Sequence, residues 1–490
     1  MVLPSPSGFQ RFSYVLVVLS IFCATMISAQ NSFIIVDEDD NALIGVEIFS
    51  GDYSISGVSD DRGVVVLPDH DPGTQLTVRY LGYEQQKITA QSIFNSGGIL
   101  QLQPSDLVLE EVVLIGRNEL SKEALPYRIE SISKEKIQST NPQTSADALA
   151  HHGNIYLQKS QLGGGSPVIR GFEANKLLLV IDGVRLNNAI YRSGHLQNAI
   201  TVDQAILESV DVIFGPNSLS YGSDALGGVV LFKSRLPKLQ FMDEDKPVTE
   251  GSYYVRYSSA NQEKTGHVDF NIGGKKLASL TSITFSDYSD LRTGSNRTDE
   301  FPDFGKRLEY IETINGEDVV IQNDDPNLQI GTGYNQFDVL QKFLYQPDDK
   351  FQLVANFQYS TSTDIPRYDQ LIDRSNGELR FAQWDYGPQQ RLLASFKFKF
   401  LEPTGFYDKA IFITSFQNIH EDRITRRVGQ TNRSSQLEQV ITQGITADFT
   451  KKLSNQYDLH YGANLQYDFV QSRAFDEDII TGEILSLIHI

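Results

Sequence analysis

After Gly251 the chain alternates apolar and polar residues with a period of two. The clearest runs are Phe337/Val339/Gln341/Phe343/Tyr345, Phe351/Leu353/Ala355/Phe357/Tyr359 and Ala394/Phe396/Phe398/Phe400. Successive side chains of a strand point to opposite faces, so this period predicts strands that are apolar on one side. Nine such segments are expected, at 251–260, 265–273, 277–286, 335–346, 351–360, 389–401, 409–420, 437–450 and 456–470. The links after the second, fourth, sixth and eighth are short, and those after the third, fifth and seventh are long. The short link after the first breaks this phase. Short turns on one rim and long loops on the other predict a membrane β-barrel, because a sandwich has no reason to keep the two in phase.

The earlier part of the chain reads differently. Residues 177–181, LLLVI, are apolar at every position and end at Asp182-Gly183. Five residues are too few for a helix, so the run is read as a buried strand. Further strands are expected at 207–214 and 227–232. A short amphipathic helix is expected at 146–151, with Pro142 and Ser145 as start signals. Gly215, Gly222, Gly227 and Gly228 suit closely packed backbone, and the whole predicts a small α/β domain over 118–235. Residues 30–104 carry strand-like runs at 32–36, 45–50, 63–67 and 76–80, separated by DEDDN, SDDRG and DHDPG turns. That is the pattern of a small β-sandwich. The expected fold class is therefore mainly β: an N-terminal β-sandwich, a small α/β domain, and an antiparallel transmembrane β-barrel over 250–490 with about nine strands present.

Residues 1–29 read as an export signal. Arg11 is the one charge ahead of an apolar run from Tyr14 to about Ile27, and Ile27-Ser28-Ala29 offers a small-residue cleavage site. The run is shorter than the roughly 18–20 residues of a spanning helix. The single cysteine, Cys23, lies inside it, which leaves no disulfide framework or cysteine metal site downstream. Bulky Ile21 and Phe22 before Cys23 argue against a lipid anchor there. A net charge of −20 argues against nucleic acid as a partner. Mean hydropathy is −0.27, but the alternating strands of a membrane barrel hide from such averages. With 22 Tyr, 28 Phe and one Trp, the aromatic usage fits strands with aromatic girdles.

Two segments carry a family resemblance. SPVIRGFEANKLLLVIDGVRLNN (166–188) and GPNSLSYGSDALGGVV (215–230) resemble, in order and separation, two blocks of the plug domain of TonB-dependent outer-membrane receptors. The resemblance implies that 118–235 is a plug with Arg170, Gly171, Asp182, Gly183, Arg185, Gly227 and Gly228 as motif residues. The order VDEDDNALIGVEIF…GVSDDRGVVVLP…LTVRYLGYEQQ resembles the carboxypeptidase regulatory-like domain that precedes some of these receptors, and implies no peptidase activity. Within 107–117, Glu111, Val112, Val113, Leu114 and Ile115 resemble the energy-coupling (TonB) box, which adds as an extended strand to a partner's sheet edge. An ordinary strand is the alternative there. Plugged transporter barrels have about 22 strands, so about nine reads as C-terminally truncated. The tail 483–490, EILSLIHI, lacks the alternation, stands outside the nine strands and reads as foreign to the natural protein.

The resemblance implies energised uptake at a cell outer membrane. The partners would be a periplasmic TonB-type energy-transducing protein and outer-membrane lipid around the barrel. The order DGVRLNNAIYRSGHLQN resembles the haem and haemoglobin branch, where His195 would ligate haem iron from an apical loop. A neutral imidazole exposed at a pore mouth is a competent axial ligand; a loop histidine that packs locally is the alternative. No cofactor is required, and haem is expected as cargo. Siderophores, cobalamin, oligosaccharides and peptides are alternative cargoes. A non-transporting surface adhesin or glycan-binding β protein is the alternative from another class. No serine elbow, HExxH or paired-carboxylate motif is visible, so no enzyme is expected.

Four further features read as structural. Asp37-x-Asp39-x-Asn41 lacks the glycine and terminal glutamate of a calcium loop and is read as a hairpin turn. Adjacent His151 and His152 point to different faces of a helix, which suits surface or packing roles better than a metal pair. Gly163-Gly164-Gly165 is not followed by the Lys-Ser/Thr of a phosphate loop. The acidic loop residues Asp299, Glu300, Asp303, Glu309 and Glu312 are read as solvated faces.

Overall fold

The computed structural model describes residues 32–489 apart from 38–40, 51–54, 69–70, 72, 81–82, 84–85, 96–97, 104–111, 116–117, 122–127, 151–153, 192–198, 241–245 and 455–456. The expected export signal, Glu111, His151, His152 and His195 lie outside the described residues. The chain divides into two units: residues 1–112 with 121–123, and residues 113–120 with 124–490.

The first unit holds two small sheets. One orders Ser56–Val58, Glu47–Ser50, Gln75–Arg79 and Gln86–Thr89, and the other orders Val64–Val66, Ser32–Val36 and Ile99–Gln101. Their apolar sides share one core of Phe33, Ile35, Ile48, Val65, Leu76 and Val78. The backbone NH of Asn41 donates to Asp37 Oδ1 at 2.7 Å, and Val36 pairs antiparallel with Ala42.

In the second unit, the smaller sheet is built from β1 (Ile129–Ser133), β2 (Leu177–Ile181), β3 (Val184–Arg185), β4 (Leu207–Phe214) and β5 (Gly228–Ser234), in the order β1-β4-β5-β2-β3. All five residues of β2 are buried. Leu177, Leu179 and Ile181 join the core that includes Ala146 and Leu149 of the helix Ser145–Ala150, while Leu178 and Val180 face Ile213, Tyr221 and Val229. A continuous apolar run is what a strand covered on both faces requires. A second helix, Lys134–Thr140, escaped the pattern because only Ile137 of its seven residues is buried.

The large sheet begins with β6 (Val248–Ser258), β7 (Glu263–Gly273), β8 (Leu277–Tyr288), β9 (Tyr334–Asp348) and β10 (Phe351–Ser362). It continues with β11 (Gln390–Phe400), β12 (Lys409–Arg427), β13 (Asn432–Lys452), β14 (Asp458–Asp478) and β15 (Ile484–His489). Each pairs antiparallel with the next, and β6 and β15 are open edges, so the described strands do not close into a barrel. All nine expected strands are present.

Two expectations are corrected. The tail forms β15 on β14, because its backbone pairs even though its side chains do not alternate. The link after the seventh strand is not long: pairing continues past His420↔Gln439 to Thr425↔Ser434, so β12 and β13 absorb it. The strand Phe381–Tyr386 of the preceding loop pairs with that extension.

The wall is inverted relative to a water-soluble sheet. Along β7 the buried positions are Glu263, Thr265, His267, Asp269 and Asn271, and the exposed ones include Val268, Phe270 and Ile272. A polar inner face and an apolar outer face is the arrangement lipid demands. Outward aromatics also touch in a row across five strands near the short turns. Phe351–Phe400, Phe400–Phe412, Phe412–Phe449 and Phe449–Tyr461 have ring centroids 5.4, 5.8, 5.5 and 5.1 Å apart. Such a row is the girdle expected at a membrane interface.

Candidate functional site: the plug seated in the sheet

Two of the expected motif pairs are tight turns. Arg170 (φ 50°) and Gly171 (φ 82°) lie between Ile169 and Phe172, whose backbones bond reciprocally at 3.0 and 2.9 Å. Asp182 (φ 51°) and Gly183 (φ 93°) join β2 to β3. Positive φ at both central residues is a type I′ turn, which favours Asp-Gly and glycine. Gly227 and Gly228 serve close approach instead. A Cβ on Gly227 would stand 2.3 Å from Phe172 Cβ, and one on Gly228 would stand 2.7 Å from the Ile213 carbonyl oxygen. Arg185 clamps the turn at 221–224, donating to the carbonyls of Tyr221 and Ser223 and to Asp224 Oδ2, each at 3.0 Å. The exposed Arg170 lies over the Phe214 ring, 5.6 Å from its centroid.

Asp182 does more than turn the chain. Its carboxylate accepts from the Ser234 backbone NH at 2.9 Å and from Asn356 Nδ2 at 3.1 Å, and it pairs with Lys342 Nζ at 3.0 Å. Lys342 lies on the inner face of β9 with its side chain 1% exposed. A lysine so buried needs an opposite charge, and Asp182 supplies it from the small domain. Nearby seams follow the same logic. Arg391 of β11 donates to Thr201 O at 2.7 Å and to Gln358 Oε1 at 3.0 Å. Arg235 pairs with Asp269 of β7, and Thr284 of β8 donates to Asp203 at 2.6 Å. The sheet's polar face and the small domain are thus joined largely by hydrogen bonds and ion pairs. Leu393, Ile411 and Ile413 add an apolar contact to the domain's core.

One glycine of the triple, Gly163, is explained by a loop. Ile365, fully buried in the long link after β10, packs with Ile200, Tyr288 and Tyr334. A Cβ on Gly163 would meet Ile365 Cδ1 at 2.9 Å and Ile200 Cδ1 at 3.0 Å. The backbone NH of Asp369 in the same link donates to Ser160 O at 3.4 Å, so this loop rests on the domain's upper end. In that loop, burial pushes the Asp385 carboxyl up to about 6; Gln383 donates to it and Asp364 adds repulsion. The segment carrying His195 is flanked by Ile190, which packs with Ile419 and Val440, and by Ile200. Both flanks lie toward the long-loop rim.

Residues 121–229 match the family model described as TonB-dependent Receptor Plug Domain. That stretch is therefore a plug domain of the kind TonB-dependent receptors carry. It is 42% identical over 103 residues to the vitamin B12 transporter BtuB of Vibrio vulnificus strain CMCP6, covering 20% of this chain and 16% of that one. It is 28% identical over 261 residues to a hemin receptor of Yersinia pestis, covering 52% of this chain and 32% of that one. The chain thus spans less than a third of the length of these relatives. Among solved structures, the copper transporter OprC superposes with a TM-score of 0.55 at 11% identity, over 74% of this chain and 49% of that one.

An outer membrane is where such an inverted sheet belongs. The residues that seat the plug (Lys342, Arg391, Asp203, Asp269 and Ile365) were missed by sequence reasoning. A charged residue at an inward position of an alternating strand, such as Lys342 between Gln341 and Phe343, was the available signal. The coupling candidates Val112, Val113, Leu114 and Ile115 form one strand, Val112–Ile115, paired with Asn118–Ser121.

Proposed function

We propose that the complete receptor carries out energised uptake across the outer membrane, with haem or another iron complex as cargo. The observation that carries the transport reading is the polar seat of the plug. A domain held in a membrane passage mainly through hydrogen bonds and ion pairs can exchange them for water when pulled, which an apolar interface could not do cheaply. Haem is supported by the hemin receptor matching over 52% of the chain and by the His195 context. Cobalamin is the second reading, supported by the 42% identity to BtuB over a shorter stretch.

In this reading, residues 30–104 form a periplasmic regulatory-like domain. Glu111, Val112, Val113, Leu114 and Ile115 are the coupling box, and 118–235 is the plug. Strand Val112–Ile115 pairs on one side with Asn118–Ser121, and among the described residues no strand pairs with its other edge, where a TonB-type partner's sheet would add. Arg170, Gly171, Asp182, Gly183, Arg185, Gly227 and Gly228 hold the plug's shape, and His195 ligates the iron.

The test is a haemin titration of the full-length receptor and of His195→Ala, followed by growth on haem as sole iron source. A shifted Soret band and weakened binding in the variant support ligation by His195. Identical spectra and affinities return it to an ordinary loop residue. No haem binding by the unaltered receptor redirects the cargo to cobalamin or siderophores. Val113→Pro, which removes a backbone donor, is expected to abolish uptake while leaving cargo binding intact.

A further inference from the structure

Phe301 and Phe304, in the long loop between β8 and β9, are 58% and 79% exposed. Both stand on a tip whose backbone is tied down by hydrogen bonds. Arg297 donates from Nε to Phe304 O at 2.6 Å and from Nη2 to Asn327 Oδ1 at 2.7 Å. Thr293 Oγ1 and Gln329 Nε2 both donate to Gly305 O, at 3.0 and 2.8 Å. Phe301 N–Thr298 O and Phe304 N–Phe301 O, both 3.1 Å, close successive turns around Pro302. The tip's shape is therefore fixed before anything touches it, which lowers the ordering cost of binding.

We propose that this tip, residues 298–305, is a docking site for a cationic, arginine-rich protein surface outside the cell. The two phenylalanines are the anchors, and the exposed Asp299, Glu300 and Asp303 form the rim. Lys306 offsets Asp303 alone, at 2.9 Å, and the rim stays negative. This charge selects the occupant. An anionic lipid surface is repelled, and so is a second copy presenting the same acidic tip. Arginine meets both features, pairing with the carboxylates and stacking on the rings. The proposal rests on the receptor reading only for the side of the membrane that the long loops face.

The experiment uses the full-length receptor in detergent and a synthetic amphipathic Arg/Leu peptide. A Glu/Leu peptide and vesicles of anionic lipid serve as comparisons. The Arg/Leu peptide is expected to bind best and to weaken as salt rises. The double variant Phe301→Ser/Phe304→Ser should lose about ten-fold or more in affinity, and Asp299→Asn/Glu300→Gln should slow association. Both variants should titrate haemin like the unaltered receptor, which separates this site from the cargo site. On intact cells, a membrane-impermeant maleimide should label Phe304→Cys. Equal binding of the Glu/Leu peptide, preference for anionic vesicles, affinity unmoved by the phenylalanine substitutions, or absence of surface labelling would each overturn the proposal.

Discussion

Strands β2 and β7 belong to one folded unit, yet they obey opposite rules. In β2 every residue is apolar and buried, whereas in β7 the buried positions include Glu263, Thr265, His267, Asp269 and Asn271 and the exposed ones include Val268, Phe270 and Ile272. The plug sheet hides its apolar side chains from water on both faces. The wall turns its apolar side chains outward, because its outer solvent is lipid, and gives its polar face to the plug. Burial by itself is therefore no guide to hydrophobicity here. What decides is which medium each face meets.

The sharpest way to break the comparison is to place a charge in β2. Leu179→Asp buries an unpaired carboxylate in a fully apolar core and is expected to cost about 5 kcal/mol or more. Protease digestion of the purified receptor should then degrade residues 129–234 while the wall persists. Next in size is the joint between the two regions. Asp182→Asn keeps a residue that tolerates positive φ but strands the Lys342 charge, at a cost of about 3–5 kcal/mol to plug seating. Chemical denaturation should show the loss, and adding Lys342→Met should recover most of it. Full loss in the double variant would mean that the turn matters and the ion pair does not.

A charge on the outer face should cost less. Phe270→Arg is expected to destabilise the wall by about 2–4 kcal/mol in a bilayer if that position lies near the midplane. Reversible unfolding in vesicles is the measurement, and an unchanged midpoint would place Phe270 outside the lipid. The smallest effect is in the loop over the plug. The folded-state value of Asp385, about 6, lies above its ordinary 3.8 because burial disfavours the charge. Its contribution is therefore fully present below about pH 4 and is lost as pH rises through about 6, with an upper bound of about 3 kcal/mol. Hydrogen-exchange protection of residues 363–389, taken relative to the intrinsic exchange rate at each pH, should be higher at pH 5 than at pH 7.5, and Asp385→Asn should remove the difference.

Much of this was legible in the residues. Period two gave all nine wall strands, LLLVI gave the doubly covered plug strand, and Asp182-Gly183 gave a tight turn. These signals are local: one strand's side chains record which media its two faces meet, and a turn's φ values restrict its residues. The tail strand and the extension of β12 and β13 were illegible, because backbone pairing with a neighbour can hold a segment whose side chains carry no period. The seat of the plug was illegible for a related reason. Asp182 and Lys342, Gly163 and Ile365, and Thr201 and Arg391 lie 160, 202 and 190 residues apart in the chain. The charge on Lys342 shows that it needs a partner, and the smallness of Gly163 shows that something comes close. Which residue answers each need depends on how the plug lies inside the curved sheet, and that placement is a property of the tertiary structure alone.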